Sequence, residues 1–386
     1  MKFPEFCLFN VPTRIVFGAG LSADFSAELA ELGGSRALVV TEKFLSGLGL
    51  PSRIRGSLEA AGLQFAGCFD EVVPDSEVEL VERGAQIARD LGADRIVALG
   101  GGSSIDTAKA INLLLSEGGR LLDHQGVQTL TRPLLPLIAI PTTAGTGSEV
   151  STAAVIHDAA TRTKVSFVDR HLAPALAVLD PELTLTLPAR VTAATGMDAL
   201  THAVEAYVGL EASPFSDALA AQAIQLVRQH LEEAVANPSD LDARSGMLLA
   251  STLAGIAFSH SMVGVVHAMA HALGGLCRVP HGEANAVMLP HGIEFNLPER
   301  PEKFARVAAW LGSETGPEGA AAMVRRLLRS LRERCGTPTT LAEAGVKVDA
   351  LPELAALAAC DGTIFYNPRE VTEANLLQLL QAAHGA

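Results

Sequence analysis

Residues Arg95-Ile96-Val97-Ala98-Leu99 run straight into Gly100-Gly101-Gly102-Ser103-Ser104 and then into a segment carrying Asp106, Thr107 and Lys109. An apolar run with no alternation marks a strand buried on both faces, as parallel sheets require. Consecutive glycines let the backbone come close to a ligand, and a helix starting after them offers unpaired N–H groups that favour phosphate. The stretch therefore reads as one step of a parallel sheet, binding its ligand where the strand ends.

The rest of the first half repeats this grammar. Arg14-Ile15-Val16-Phe17 ends at Gly18-Ala19-Gly20, and Ser22 to Leu32 follows with helical periodicity. Ala37 to Thr41 is a buried strand, Ser57 to Ala61 closes a helix, Gln64 to Phe69 is a weaker strand and Glu77 to Leu91 a helix. Strands alternating with helices imply a mostly parallel sheet covered on both faces. Leu137-Ile138-Ala139-Ile140 then enters Pro141-Thr142-Thr143-Ala144-Gly145-Thr146-Gly147-Ser148-Glu149, a second loop dense in hydroxyls and glycine. Neither loop matches G-x-G-x-x-G or the P-loop, so neither a standard Rossmann nor an NTPase reading is adopted. Glu42 stands just after Ala37 to Thr41, where an acid commonly takes ribose hydroxyls and repels a 2'-phosphate, which favours NAD over NADP. Val165 to Phe167 and Leu176 to Leu179 read as a further strand pair.

After Pro188 the pattern changes to long Ala- and Leu-rich helices: Val191 to Val208, Pro214 to Val235, Asp242 to Ser259, Gly264 to Leu276, Pro301 to Leu311, Gly319 to Arg334 and Asn375 to Ala383. The expectation is α/β followed by all-α, with a parallel-sheet dinucleotide-binding domain over 1–188 and a helical domain over 189–386. The helical half holds Asp198 and His202, then His267 and His271, then His281 beyond a Gly-Gly and a Pro that interrupt the helix. Side chains four apart leave one helix face a turn apart. One carboxylate and several neutral imidazoles form a borderline donor set, suited to iron or zinc rather than magnesium or calcium. Spacing does not separate His267 from His271 as a ligand.

Composition narrows the partners. The chain has 386 residues, 48% apolar and 19% charged, enough for a large core and two domains. With 29 Lys plus Arg against 43 Asp plus Glu, the net charge is -14, which argues against nucleic-acid or anionic-membrane surfaces. Five scattered cysteines, never spaced Cys-x-x-Cys, suggest neither a disulfide framework nor a thiolate metal site, and a reducing cytoplasm fits best. Met1-Lys2-Phe3-Pro4-Glu5-Phe6 has an acid and a proline where a signal peptide needs an apolar core. No run approaches 18 uninterrupted apolar residues, so no membrane span is expected.

Taken together, Gly100-Gly101-Gly102-Ser103-x-x-Asp106-Thr107-x-Lys109, Pro141-Thr142-Thr143-x-Gly145-Thr146-Gly147-Ser148-Glu149, Gly196-Met197-Asp198-Ala199-Leu200-Thr201-His202, His267-x-x-x-His271 and Pro280-His281-Gly282-Glu283-Ala284-Asn285 resemble the iron-containing alcohol dehydrogenase family. Asp361 and Asn367-Pro368-Arg369 extend the resemblance to the end of the chain. It implies a two-domain plan shared with dehydroquinate synthase, in which a dinucleotide-binding domain faces a helical metal domain across a cleft. It implies NAD(P)-linked interconversion of a small alcohol and its aldehyde or ketone. The implied metal ligands are Asp198, His202, His267 and His281, with His271 near the substrate as the catalytic residue. The implied cofactor contacts are Gly101, Gly102, Ser103, Asp106, Thr142, Thr143 and Thr146, with Lys164 and Leu183 beside them. Glu42 replaces the Asp of many NAD-using relatives, which keeps the acid and leaves NADP possible. The metal is Fe²⁺ or Zn²⁺.

Magnitudes indicate which group carries the chemistry. A catalytic metal lowers the pKa of bound water from 15.7 to about 7, and an alcohol treated alike gains roughly 12 kcal/mol. A positioned histidine alone supplies about 10²–10⁴-fold, ~3–5 kcal/mol. The metal is expected to carry the larger share. Hydroxyacid-oxoacid transhydrogenation and maleylacetate reduction are alternatives on the same fold. A non-redox reaction of the dehydroquinate synthase type is a remote one, because that family lacks Asp-x-x-x-His. The expected partners are a small alcohol or aldehyde and further copies of the chain, a dimer being the commonest assembly.

Overall fold

The computed structural model describes residues 6–161 and 163–385; Met1 to Glu5, most of the stretch read against a leader, lie outside them. The described residues form two compact units, one within 10–143 and 148–184, the other of residues 6–9, 144–147 and 185–385. The single cut expected at Pro188 thus falls slightly earlier and misses an excursion. Ala144–Gly147 belongs with the helices because its glycines pack tightly there. A Cβ on Gly145 would stand 2.7 Å from Thr195, and one on Gly147 (φ +62) would stand 2.5 Å from Gly255.

In the first unit β1 (Arg14–Phe17), β2 (Arg36–Glu42), α1 (Lys43–Gly47), α2 (Leu50–Ala60), β3 (Gln64–Val72), α3 (Val78–Asp90), β4 (Arg95–Gly100) and α4 (Gly102–Glu117) follow the expected alternation. They continue into β5 (Gly126–Val127), β6 (Leu137–Pro141), β7 (Ala153–Asp158), β8 (Thr163–Val168) and β9 (Leu176–Leu179). Six strands form one sheet in the order β1-β9-β6-β4-β2-β3, every pairing parallel. Its two faces sort by residue parity, since successive side chains point to opposite sides. Leu38, Val40, Ile96, Ala98 and Ala139 meet Val81 and Ala85 of α3 and Ile105, Ala108 and Ile111 of α4. Val39, Val97, Leu99, Ile138 and Val178 meet Ile54 and Leu58 of α2, with Phe25 and Leu29.

Two expectations are corrected here. Ser22 to Leu32 is a pair of short 3₁₀ turns, Leu21–Ala23 and Ser26–Leu29, rather than a helix. The Asp180 carboxylate explains part of this by drawing in the Gly20 and Ser22 amides at 3.0 and 2.9 Å. Val165–Phe167 and Leu176–Leu179 do not pair with each other. β8 joins β5 and β7 in a separate three-stranded sheet, while β9 lies between β1 and β6.

The second unit holds α5 (Ala189–Val208), α6 (Pro214–Ala236), α7 (Leu241–Ser261), α8 (Val265–Cys277), α9 (His281–Asn296), α10 (Pro301–Trp310), α11 (Gly319–Cys335), α12 (Leu351–Ala359) and α13 (Glu373–His384). Local signals set several starts: Ser213 with Pro214 opens α6, Asp240 accepts from the Ala243 amide to open α7, and Thr372 caps α13. α5 is central, packed against α6, α7 and α9. α9 and α12 were not foreseen; α9 is buried along most of its length with Glu283, Asn285 and Asn296 among the buried positions, so it lacks the one-sided apolar stripe by which helices are recognised. Among the described residues no single helix is long and apolar enough to cross a membrane.

Candidate metal and cofactor site

α5 places Asp198 and His202 on one face, one turn apart, both buried. After α7 the chain turns by 105° at Met262 (φ +62) and restarts as α8, which carries His267 and His271. His281 is the first residue of α9. A Cβ on Gly282 would overlap the Ala194 carbonyl, so glycine there lets α9 begin directly against α5. The exposed Arg190 anchors the same turn through Nε and Nη2 to the buried Glu283 at 2.5 and 3.0 Å.

These elements bring Asp198, His202, His267 and His281 together, with one donor atom from each lying within 4.8 Å of all the others. His281 Nε2 is 3.5 Å and His267 Nε2 3.9 Å from Asp198 Oδ1, and His202 Nδ1 is 3.9 Å from Oδ2. None of these is a hydrogen bond; three of the four donors instead share the Asn285 amide, whose Nδ2 donates to Asp198 Oδ1 at 2.6 Å and lies 3.3 Å from His267 Nε2 and 3.1 Å from His281 Nε2. His202 Nδ1 is buried with no hydrogen-bond partner, an arrangement costly for a protein and natural for a metal ligand. An acid and three imidazoles in tetrahedral number fit Fe²⁺ or Zn²⁺. His271 stands outside this set. Its Nδ1–H donates to Asp361 Oδ2 at 2.7 Å, leaving Nε2 to face elsewhere, and its ring stacks on His281 at 5.5 Å.

The expected cofactor residues of the α/β unit gather at one edge of the sheet. Because the strands are parallel, Glu42 as the last residue of β2, Gly101–Ser103 after β4, Thr142 and Thr143 after β6, and Leu183 after β9 all lie at carboxyl ends. The first two glycine-rich loops touch: Thr142 N–H donates to the Gly100 carbonyl at 3.0 Å, and a Cβ on Gly101 would be 3.1 Å from Thr143. No side chain caps the start of α4, so its first amides remain available to an anion. Ser103 Oγ accepts from the Asp75 amide at 3.3 Å, and Asp75 pairs with Lys164 at 2.7 Å, tying three loops together. Asp106 is engaged within the protein, taking Ser148 Oγ–H at 2.5 Å and the Val155 amide at 3.0 Å. Leu183 is buried in the core, and Thr146 belongs to the other unit.

A family profile described as iron-containing alcohol dehydrogenase matches residues 12–181, and one for the C-terminal part of that family matches residues 192–384. An NAD-dependent methanol dehydrogenase of Bacillus methanolicus is 40% identical over 97% of this chain and 99% of its own. A 1,3-propanediol dehydrogenase of Citrobacter freundii is 41% identical over 97% of each. A solved 1,3-propanediol oxidoreductase superposes with a TM-score of 0.93 at 40% identity, covering 98% of this chain and 100% of that one. The chain belongs to the iron-containing alcohol dehydrogenase family. It is a metal-dependent oxidoreductase that interconverts an alcohol and its carbonyl counterpart with a nicotinamide cofactor.

As a member of that family it shows electrostatics suited to holding a cation. Burial pushes the His202 imidazole down to about 4, only partly offset by Asp198, so it is neutral and has a lone pair to give at neutral pH. Burial would raise the Asp361 carboxyl, but the His271 beside it and the Thr363 amide outweigh that and hold it well below the usual range. Burial drives Lys109 down to about 8 against the pull of Asp106 and Glu149; its ammonium donates to Ser151 and Ala153, a role in holding the loop.

The His202 shift has a measurable consequence. The unfolded chain takes up a proton at about pH 6.5 that the folded, metal-free chain refuses until about pH 4. This stabilisation is present above pH 6.5 and lost as pH falls through that window, about 3 kcal/mol in all. The urea midpoint of the metal-free protein should drop accordingly, and His202→Ala should flatten the dependence.

Glu205, which takes His267 Nδ1–H at 2.6 Å, Asn285 and Arg190 join the site although no motif assigns them a role. Glu205 was legible in principle, because Asp198, His202 and Glu205 follow i, i+4, i+7 on one face of α5.

Proposed function

We propose that this enzyme is an NAD-preferring dehydrogenase of short, unhindered alcohols or diols, with Asp198, His202, His267 and His281 holding Fe²⁺ or Zn²⁺. The observation that carries the reading is the convergence of those four donors within 4.8 Å, from α5, α8 and α9. When bound, the ion supplies Lewis-acid polarisation of the substrate oxygen and the nicotinamide exchanges hydride with the neighbouring carbon. The chain's own part is to fix geometry and move a proton. Asp361 accepts from His271 Nδ1–H and so keeps the other ring nitrogen, Nε2, as the atom that takes the alcohol proton or returns it. Gly101, Gly102, Ser103, Thr142, Thr143 and Thr146 are the proposed cofactor contacts. Backbone amides at the start of α4 bind the pyrophosphate, which needs no large basic cluster. Lys164, held beside the loop by its ion pair with Asp75, is the nearby cation, and Asp106 braces the loop from below through Ser148.

Relatives named for methanol, 1,3-propanediol and lactaldehyde motivate the substrate class. The test is turnover on a panel of such alcohols and aldehydes with NAD and NADP, on protein loaded separately with Fe²⁺ and Zn²⁺. Inactivity on every short alcohol with both cofactors would overturn it. Glu42 is the proposed discriminator between cofactors: it ends β2 half-buried, and burial raises its carboxyl somewhat. Glu42→Ser should raise kcat/KM for NADP by about tenfold while lowering that for NAD, because a like charge facing the 2'-phosphate is removed. Unchanged cofactor preference would remove Glu42 from the ribose site. A homodimer in a reducing cytoplasm is the proposed setting, motivated by the five free cysteines and by the commonness of dimers; light scattering tests the assembly.

A further inference from the structure

α8 carries two functional histidines yet begins without a local cap. Its N-cap is Gly264, which has no side chain to offer, and the first-turn amides are instead taken by buried side chains from distant parts of the chain. Val265 N–H donates to Asn367 Oδ1 at 3.2 Å and Val266 N–H to Glu205 Oε1 at 2.7 Å. A Cβ on Gly264 would stand 2.8 Å from Asn367 Oδ1 and 3.2 Å from Glu205 Oε1, so the bare glycine is what lets both approach. The second oxygen of Glu205 does something different. His267 Nδ1–H donates to Oε2 at 2.6 Å, with the His267 amide also turned to it at 3.4 Å.

We propose that Glu205 is the positioning residue of the metal centre, holding the helix start with one oxygen and the His267 ring with the other. The assignment rests on the metal reading above. A carboxylate only accepts, so its contact with Nδ1 keeps the proton there and leaves the lone pair on Nε2, the nitrogen turned toward Asp198. The ring cannot spin about its χ2 without breaking a buried hydrogen bond. Asp198, His202 and Glu205 thus form one face of α5 in which two residues donate to the ion and the third aims a donor borne by another helix.

Only a carboxylate meets both demands. A glutamine of the same shape has one acceptor and one donor. Turned one way, its NH₂ meets the Val266 N–H; turned the other, it donates to Nδ1 and moves the imidazole proton to Nε2, where it blocks ligation. Shape and acceptor capacity can therefore be separated by one substitution.

The experiment strips the full-length protein of metal and reloads it with Co²⁺, following the visible d–d absorption and the affinity by chelator competition. Glu205→Gln is expected to bind Co²⁺ 10–100-fold more weakly and with an altered spectrum. Asn367→Ala removes another cap of α8 without touching a ligand ring and is expected to bind near the native value. Native affinity and spectrum in Glu205→Gln would overturn the proposal. So would an equal loss in Asn367→Ala, which would reduce Glu205 to a helix cap. If the glutamine variant does not fold, Glu205→Asp keeps the charge, falls short of one partner and is read by the same measurement. Failure of the metal reading looks different: native protein would take up no Co²⁺, or His267→Ala would take it up as well as native.

Discussion

Replacing His267 with alanine is expected to leave the protein without its ion and to cut turnover by about 10³-fold or more, since Lewis-acid stabilisation is worth several kcal/mol. His267 is buried on α8, donates through Nδ1 to Glu205 and turns Nε2 toward Asp198. Its removal takes one of four donors and leaves Glu205 buried beside a void, which costs stability as well as affinity. Metal content per chain and the rate of NADH formation should fall together, with circular dichroism confirming that the helices remain. A folded variant that is metal-free and fully active would refute the assignment of the four ligands.

His271→Ala is expected to behave in the opposite way toward metal. It lies one turn beyond His267, but its Nδ1–H is committed to Asp361 and it contributes no atom to the donor cluster. The ion should stay at one per chain while kcat falls by about 10²–10⁴-fold, the usual worth of a positioned acid or base. Asp361→Asn should give a smaller loss in the same direction, because the asparagine amide can still orient the ring but supports its charged form less well. Loss of metal in His271→Ala would exchange the roles of His267 and His271. Native kcat would remove it from the proton path.

How far the sequence could be read differs by element. The parallel sheet was legible because continuous apolar runs such as Ile96–Leu99 bound to glycine turns have few other physical solutions. The helical half was legible over most helices that carry a stripe or a cap, as at Ser213 and Asp240, and failed at α9, where buried polar residues blur the stripe, and at α12, which is only nine residues long. Ser22 to Leu32 misled because its periodicity is local, whereas Asp180, far along the chain, claims the Gly20 and Ser22 amides. β7 was missed because Ala153–Asp158 has no glycine or proline punctuation before its strand and joins a small mixed sheet.

The site divides along the same line. Residue types and spacings by themselves determined that an acid and several imidazoles were available in the helical half, and that a glycine-rich turn followed a buried strand. Those are properties of neighbours along the chain, where helix and strand periods dictate which side chains share a face. The tertiary structure alone decided which histidine joins the cluster, because His267 and His271 have equivalent spacing and differ only in what faces them: Glu205 from α5 for one, Asp361 from the C-terminal segment for the other. A hydrogen bond between residues 62 or 90 positions apart leaves no mark in local periodicity. It exists only once the helices have packed.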